Sequence, residues 1–387
     1  MGSHCWELFC LEHGIQPDGQ VHKTDSQDKR SSNSSSNCFE TLFSRTSSER
    51  FIPRCLNIDL DETALDEIRT GTYRQILNCH ISGKEDAAGN YARGYYTLGK
   101  EIVDQCMDRI RTLADDCDDL QGFFVLSSIG GGTGSGLGSL LLERLSADYA
   151  KKTKVSLNVF PSSELSTAVT EPYNSVLALH KLLEHTDVSV VFDNEALCSI
   201  DRNFLDVEKP EYRNVNQLTA QVVSSLALSM QTKGNPYSNL DELSSIHVPY
   251  SRAHFLLASY SPFIPNERDC FNYRPTTVSA ITNSLFKSSN FLANCDPRHG
   301  KYLACSIAYR GDVTPSEVNA SIKSARSNNC EIQFVDWVPV GFRLGINYTL
   351  PHALIGGDLG KVMRSATMLS NTTATMDIFY RMAREFD

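Results

Sequence analysis

The run Gly122-Phe123-Phe124-Val125-Leu126-Ser127-Ser128-Ile129 passes without a break into Gly130-Gly131-Gly132-Thr133-Gly134-Ser135-Gly136. The first eight residues read as a buried β-strand. The residues after the loop, Leu137-Gly138-Ser139-Leu140-Leu141-Leu142-Glu143-Arg144-Leu145, carry helical spacing. Five glycines in seven residues let the backbone turn its N–H groups inward and approach a ligand without Cβ clashes. A helix opening directly afterwards adds unpaired N–H donors and the positive end of its dipole. Thr133 and Ser135 add hydroxyls at the same mouth. This strand, loop and helix predict a polyphosphate cradle in an α/β fold.

Three familiar cradles are excluded by single residues. A Walker A loop needs a lysine after its last glycine, and Leu137 stands there. The dinucleotide fingerprint G-x-G-x-x-G fits no placement of these glycines. Ser135 lacks the G-x-S-x-G setting of a nucleophile elbow. A flexible linker is a poor fit between a buried strand and an amphipathic helix.

Composition narrows the function classes. The 387 residues suffice for two or three domains. An apolar share of 41% and a charged share of 21% are those of a globular protein. The net charge of −10 argues against a nucleic-acid binder, and no apolar run is long enough for a membrane span. Met1 to His13 shows no basic region followed by an apolar one, so no secretory signal is read. Twelve cysteines without a C-x-x-C pair then read as reduced thiols of a cytoplasmic protein.

Taken in order, the chain opens with helical spacing over Cys5–His13, and Lys23–Asn37 reads as a serine-rich surface loop. The alternating segment Arg54–Ile58 delivers Asp59 and Asp61 at its end, the carboxylate pair that Mg²⁺ and its waters require. Taken alone, such a pair is more often a helix N-cap. Beside a phosphate loop the metal reading gains weight, with Asp61 as the ligand. A turn-rich loop, Gly83–Gly94, precedes a helix over Thr97–Ala114. Strands are expected at Val155–Pro161 and Val188–Phe192, the latter ending in Asp193-Asn194-Glu195. Strands alternating with helices, each strand ending in polar groups, indicate a doubly wound parallel sheet. Tyr212–Met230 reads as a long buried helix on which Tyr212 and Asn216, one turn apart, suit a purine base. Beyond it, strands are expected at Phe255–Pro262, Tyr302–Tyr309, Ile332–Val338 and Phe342–Tyr348, with helices at Pro315–Ser327 and Leu359–Leu369. The expected architecture is α/β: a doubly wound domain (1–211), a core helix (212–231), an α+β second domain on a mixed sheet (232–371) and a helical stub (372–387).

The match to a known family extends well beyond the glycine loop. Cys5–Gly19 (CWELFCLEHGIQPDG), Arg69–Gln75 (RTGTYRQ), Gly130–Gly136, Glu171–Ser175 (EPYNS), Asp193–Ala196 (DNEA), Asp296–Tyr302 (DPRHGKY), Tyr309–Val313 (YRGDV) and Asn371–Ala374 (NTTA) together resemble the tubulin family. The first of these, and the loop Thr349–Asp358, resemble its α-type subunits. That resemblance implies a GTP site in which Gly131, Gly132, Thr133, Gly134 and Ser135 hold the phosphates. Asp59 and Asp61 would lie near Mg²⁺ and the γ-phosphate, and Ala87 and Ala88 by the terminal phosphate. Ser166, Thr167 and Glu171 would contact ribose and phosphates; Asn194, Tyr212 and Asn216 would hold the guanine. The loop Gly234–Leu243 resembles the one that reaches a neighbour's nucleotide, with Glu242 as the residue orienting the attacking water. The implied role is a GTP-hydrolysing microtubule subunit of the cytoplasmic cytoskeleton. Its implied partners are β-tubulin, microtubule-associated proteins and tubulin chaperones.

Departures from the family pattern set a second expectation. The family's first strand and its glycine-and-glutamine loop lie upstream of CWEL and are absent here, which predicts a gap in the sheet. The chain stops at Asp387, where relatives continue into outer helices. Asp61 stands for a glutamate, Gly89 for an asparagine, and Phe263–Thr277 is divergent. The alternative implied is a truncated, non-catalytic relative that binds tubulin or chaperones without polymerising.

Overall fold

The computed structural model describes residues 1–21, 41–162, 168–231, 239–266, 277–328, 332–338, 341–354 and 356–386. The chain opens with helix α1 (Gly2–Glu12), the hairpin β1 (Phe43–Arg45) and β2 (Phe51–Pro53), and then β3 (Asn57–Asp59), α2 (Glu62–Thr70) and β4 (His80–Ser82). There follow α3 (Leu98–Asp115), β5 (Gly122–Ser128), α4 (Gly138–Asp148), β6 (Thr153–Phe160), α5 (Glu171–His185), β7 (Val188–Asp193), α6 (Asn194–Phe204) and α7 (Tyr212–Gln231). The second half comprises α8 (Leu240–His247), β8 (Phe255–Ser261), α9 (Val278–Leu285), β9 (Tyr302–Gly311), α10 (Pro315–Asn328), β10 (Phe342–Asn347), β11 (Arg364–Thr372) and α11 (Met376–Phe386).

One seven-stranded sheet, in the order β10-β9-β11-β8-β7-β6-β5, carries both halves. Strands β5 to β8 run parallel. β11 is antiparallel to β8 and to β9, and β9 is parallel to β10. The strands of the second half are mixed, and they continue the sheet of the first half. β7 and β8 pair at Ser189↔Phe255, Val190↔Leu256 and Val191↔Leu257 and join the halves into one plane. β6, β7 (Val-Ser-Val-Val-Phe-Asp) and β8 are buried on both faces, as parallel strands covered by helices are, whereas β5 at the edge is half-buried along most of its length.

β3 and β4 form their own two-stranded parallel sheet. Among the described residues no strand hydrogen-bonds β5 on its outer edge. The two sheets nevertheless share a core, where Leu56 and Ile58 pack with Phe123, Val125, α3 and α4.

Helix α7 lies between α1 and the sheet, buried nearly all round, and its side chains join the larger core. Three of its buried hydroxyls are satisfied within the helix: Thr219 donates to the Val215 carbonyl, Ser225 to Gln221 and Ser229 to Ser225. At the end of α1, the buried Glu12 pairs with the buried Arg310 of β9 at 2.7 Å. Ser224 of α7 donates to both Glu12 oxygens and accepts from Arg310.

Two expected elements are corrected. Leu359–Leu369, expected to be helical, contributes instead most of β11, a central strand buried on both faces between β8 and β9. Burial on both faces removes the period-2 alternation by which a strand is recognised. Ile332–Val338 forms no strand; it touches the sheet through one bridge, Phe334 to Tyr302. The expected loop Lys23–Asn37 lies outside the described residues.

Candidate functional site

The glycine loop closes the carboxyl end of β5, at the edge where parallel α/β sheets bind ligands. From Thr133 to Leu137 it winds as a wide helical turn that continues into α4. The glycines divide by what a Cβ would meet. At Gly132 it would sit 2.7 Å from the Asn90 nitrogen and 2.8 Å from the Ala87 Cβ; at Gly136, 2.5 Å from the Tyr91 carbonyl; at Gly134 it would collide with the Ser128 carbonyl. These three exist so that backbone can pack on backbone. Gly131 meets nothing within 4 Å. Its exposed, open flank is the space a phosphate would fill.

The hydroxyls behave differently from one another. Ser135 is buried, and its Oγ donates back to the Gly131 carbonyl, so it shapes the loop from beneath. Thr133 donates to the Asp59 carboxylate. Burial pushes Asp59 up from the ordinary carboxylate range, opposed by hydrogen bonds from the Asp61 amide and Thr133. Asp61 caps α2: it accepts from the Thr63 amide at 3.0 Å and the Thr63 hydroxyl at 2.5 Å, and these bonds hold its carboxyl below the usual range. The bland expectation for this residue, a helix cap, is thus realised in the geometry. Among the described residues no group of three metal-type side chains converges. Two carboxylates and a hydroxyl beside a phosphate mouth are nonetheless the hard oxygen donors that suit Mg²⁺ held chiefly by phosphates and water.

The loop after β4 forms the opposite wall. Ala87 is fully buried, while Ala88 and Gly89 take left-handed backbone (φ +48° and +63°). The Asn90 side chain accepts from the Ala92 amide and starts the next helical turn. A buried residue that sequence reasoning left without a role, Asn174, ties this wall to the cradle. Its Nδ2 donates to the carbonyls of Gly89 (2.7 Å) and Gly130 (2.9 Å), and its Oδ1 accepts from the Tyr91 amide (3.0 Å). Only its position, a buried amide in the first turn of α5, could have pointed to it. Glu171 opens the same helix, its side chain beside Gly130.

The remaining expected residues are dispersed around this mouth. Asn194 is the first residue of α6, after Asp193, which caps that helix and pairs with Arg381. Tyr212 begins α7 with its ring 77% exposed, and Asn216 lies half-buried one turn on. Helices α6 and α7 pack on each other. Ser166 and Thr167 lie outside the described residues, as do the first residues of the Gly234–Leu243 loop. Glu242 is described and lies elsewhere. It is exposed on α8, next to Asp241, which accepts from Thr153 at the start of β6. The cradle follows the end of β5, and Gly122↔Thr153 and Ser128↔Val159 are in register. Glu242 therefore lies at the opposite sheet edge, about 20 Å of strand away.

No helix among the described residues is long and apolar enough to cross a membrane. Two family models match the chain: the Tubulin/FtsZ family GTPase domain over residues 1–202, and the Tubulin C-terminal domain over residues 251–384. The first covers more than half of the 387 residues and includes the whole cradle. With a GTPase model lying over that cradle and the family's second domain following it, the chain belongs to the tubulin family and is a tubulin-like GTP-binding protein.

Proposed function

We propose that this chain is an α-tubulin-type subunit of microtubules that binds GTP with Mg²⁺, pairs with β-tubulin and supplies Glu242 to a neighbour's nucleotide. One observation carries the reading: the phosphate cradle and Glu242 occupy opposite edges of the same parallel strands. A residue so placed cannot serve its own site, but it meets the cradle of the next subunit when copies stack head to tail. There the carboxylate would polarise a water for in-line attack on the γ-phosphorus. Bound Mg²⁺ would neutralise phosphate oxygens, with Asp59 and Asp61 ordering its waters. Asn194, Asn216 and Tyr212 would hold the base; Glu171, Ser166 and Thr167 would contact the ribose and phosphates, with Ala87 and Ala88 beside the last phosphate. Accessory proteins and chaperones would be further partners. A second reading, a tubulin relative that does not polymerise, is favoured by the outer edge of β5, which no strand among the described residues pairs.

The test is co-expression with β-tubulin and tubulin chaperones, followed by denaturation and separation of the released nucleotides. The expected outcome is about one GTP per chain with β-tubulin co-purifying. In filaments grown from the pair, Glu242→Ala should slow GTP hydrolysis about 10²-fold or more while leaving nucleotide content unchanged. A nucleotide-free chain held by chaperones supports the second reading instead.

A further inference from the structure

At the end of β4 remote from the cradle, a cavity of about 610 Å³ is lined by Arg50, Arg69, Arg74, Gln75, Asn78 and His80. Among the described residues it is lined by no carboxylate, although the chain as a whole carries a net charge of −10. The cations in it are not equivalent. Arg69 is neutralised on its own helix by Asp66 (2.8 Å) and Glu62 (3.3 Å). Arg50 and Arg74 are exposed and form no ion pair among the described residues.

His80 sharpens the picture. The Arg69 Nε–H donates to His80 Nε2 at 2.8 Å, so the neutral ring carries its proton on Nδ1. That Nδ1 is buried and has no hydrogen-bond partner. With no surface open to solvent it is out of reach of a ligand in the cavity, and what His80 gives this wall is its hold on the Arg69 Nε–H. The wall therefore offers two guanidiniums with no ion pair among the described residues and two side-chain amides. Two positive charges without an ion pair among the described residues match a phosphate monoester, which carries about −1.5 to −2 at pH 7. Guanidinium geometry suits its oxygens.

We propose that this cavity is a second anion site that takes the dianion of a phosphate monoester, independently of the nucleotide cradle. The two sites are joined but separate. Asp61 caps α2 at the cradle's edge and Arg69 lies near the other end of that nine-residue helix, about 13 Å on. In register, Asp59 pairs with Ser82 at the cradle end of β4, and Asn57 pairs with His80 at the cavity end. An adjoining cavity of about 550 Å³ shares Arg74 and Gln75 and adds Thr70, Thr72 and Asp18. Asp18 repels a second anion there, so that space receives the uncharged remainder of the ester.

The experiment is calorimetric titration of the full chain, saturated with GTP, with inorganic phosphate at pH 7.5 and constant ionic strength set by chloride. One phosphate per chain is expected. Arg50→Gln and Arg74→Gln should each weaken it tenfold or more, and the double variant should abolish it, with GTP content and melting temperature unchanged. A short phosphoserine peptide, titrated in parallel, distinguishes the source. Binding tenfold tighter than phosphate assigns the site to a modified partner protein, and equal binding assigns it to a free phosphate ester. Phosphate binding that persists in the double variant, that excess GTP displaces, or that chloride matches at equal concentration overturns the proposal.

Discussion

At the scale of single residues, Gly131 and Gly134 look interchangeable in the sequence and are opposite in the structure. Alanine at Gly134 drives a methyl into the Ser128 carbonyl, whereas alanine at Gly131 meets no protein atom within 4 Å. Gly131→Ala should therefore leave stability within about 0.5 kcal/mol of the parent and weaken GTP at least tenfold. Gly134→Ala should lower the melting temperature; parallel melts and GTP titrations read both.

Asp201, on α6, offers a different residue-scale prediction. It is fully buried, neither carboxylate oxygen has a hydrogen-bond partner among the described residues, and burial together with the Asp358 charge pushes it up to about 7. Because the folded chain keeps a proton that the unfolded chain releases, this group stabilises least at high pH. Its contribution declines as pH rises from about 4 through about 7. Asp201→Asn removes that slope and should stabilise the chain by roughly 1–3 kcal/mol near pH 7.5, with little gain near pH 4.5. Melting temperatures across that range decide it; a gain that does not grow with pH would contradict the assignment.

Among the elements, those with a local cause were the most legible. The β5 strand, the glycine loop and α4 follow from a hydrophobic run, a Cβ-free turn and helical spacing, and all three stand where expected. The start of α2 at Asp61 was readable as a cap for the same reason. β11 was not, because its apolar residues face packed neighbours on both sides and lose the strand period. Nor could the join of β7 to β8 be read, since pairing between segments so distant in sequence leaves no local mark. Asn174 belongs to the same class. Its value lies in bonds to Gly89, Gly130 and Tyr91, which the sequence scatters. Asn174→Leu should strand two carbonyls and an amide and cost about 2–4 kcal/mol. It should also loosen GTP even where the fold survives, measurable as faster nucleotide release.

Across the whole molecule, the buried Glu12–Arg310 pair with Ser224 links α1, α7 and β9. Removing one partner leaves an uncompensated charge, so Arg310→Met should cost about 3–5 kcal/mol. Adding Glu12→Leu should recover most of that loss, because an apolar pair no longer pays desolvation. Denaturant midpoints of the two single variants and the double variant measure the coupling, and strict additivity would show that the contact is incidental.

The continuous sheet has a mechanical side. β5 and β6 are stitched at seven positions and β9 and β11 at nine, but β7 and β8 at only three. Treated as a beam, the sheet has its weakest seam there, where one half of the chain meets the other. The ion pairs that reach across to β7 come from α11, where Arg381 pairs with Asp193 at the end of β7 and with Glu195. A load drawn along the molecule from end to end is there shared between a few side-chain ties and three backbone pairings, and the chain yields first where its stitches are fewest.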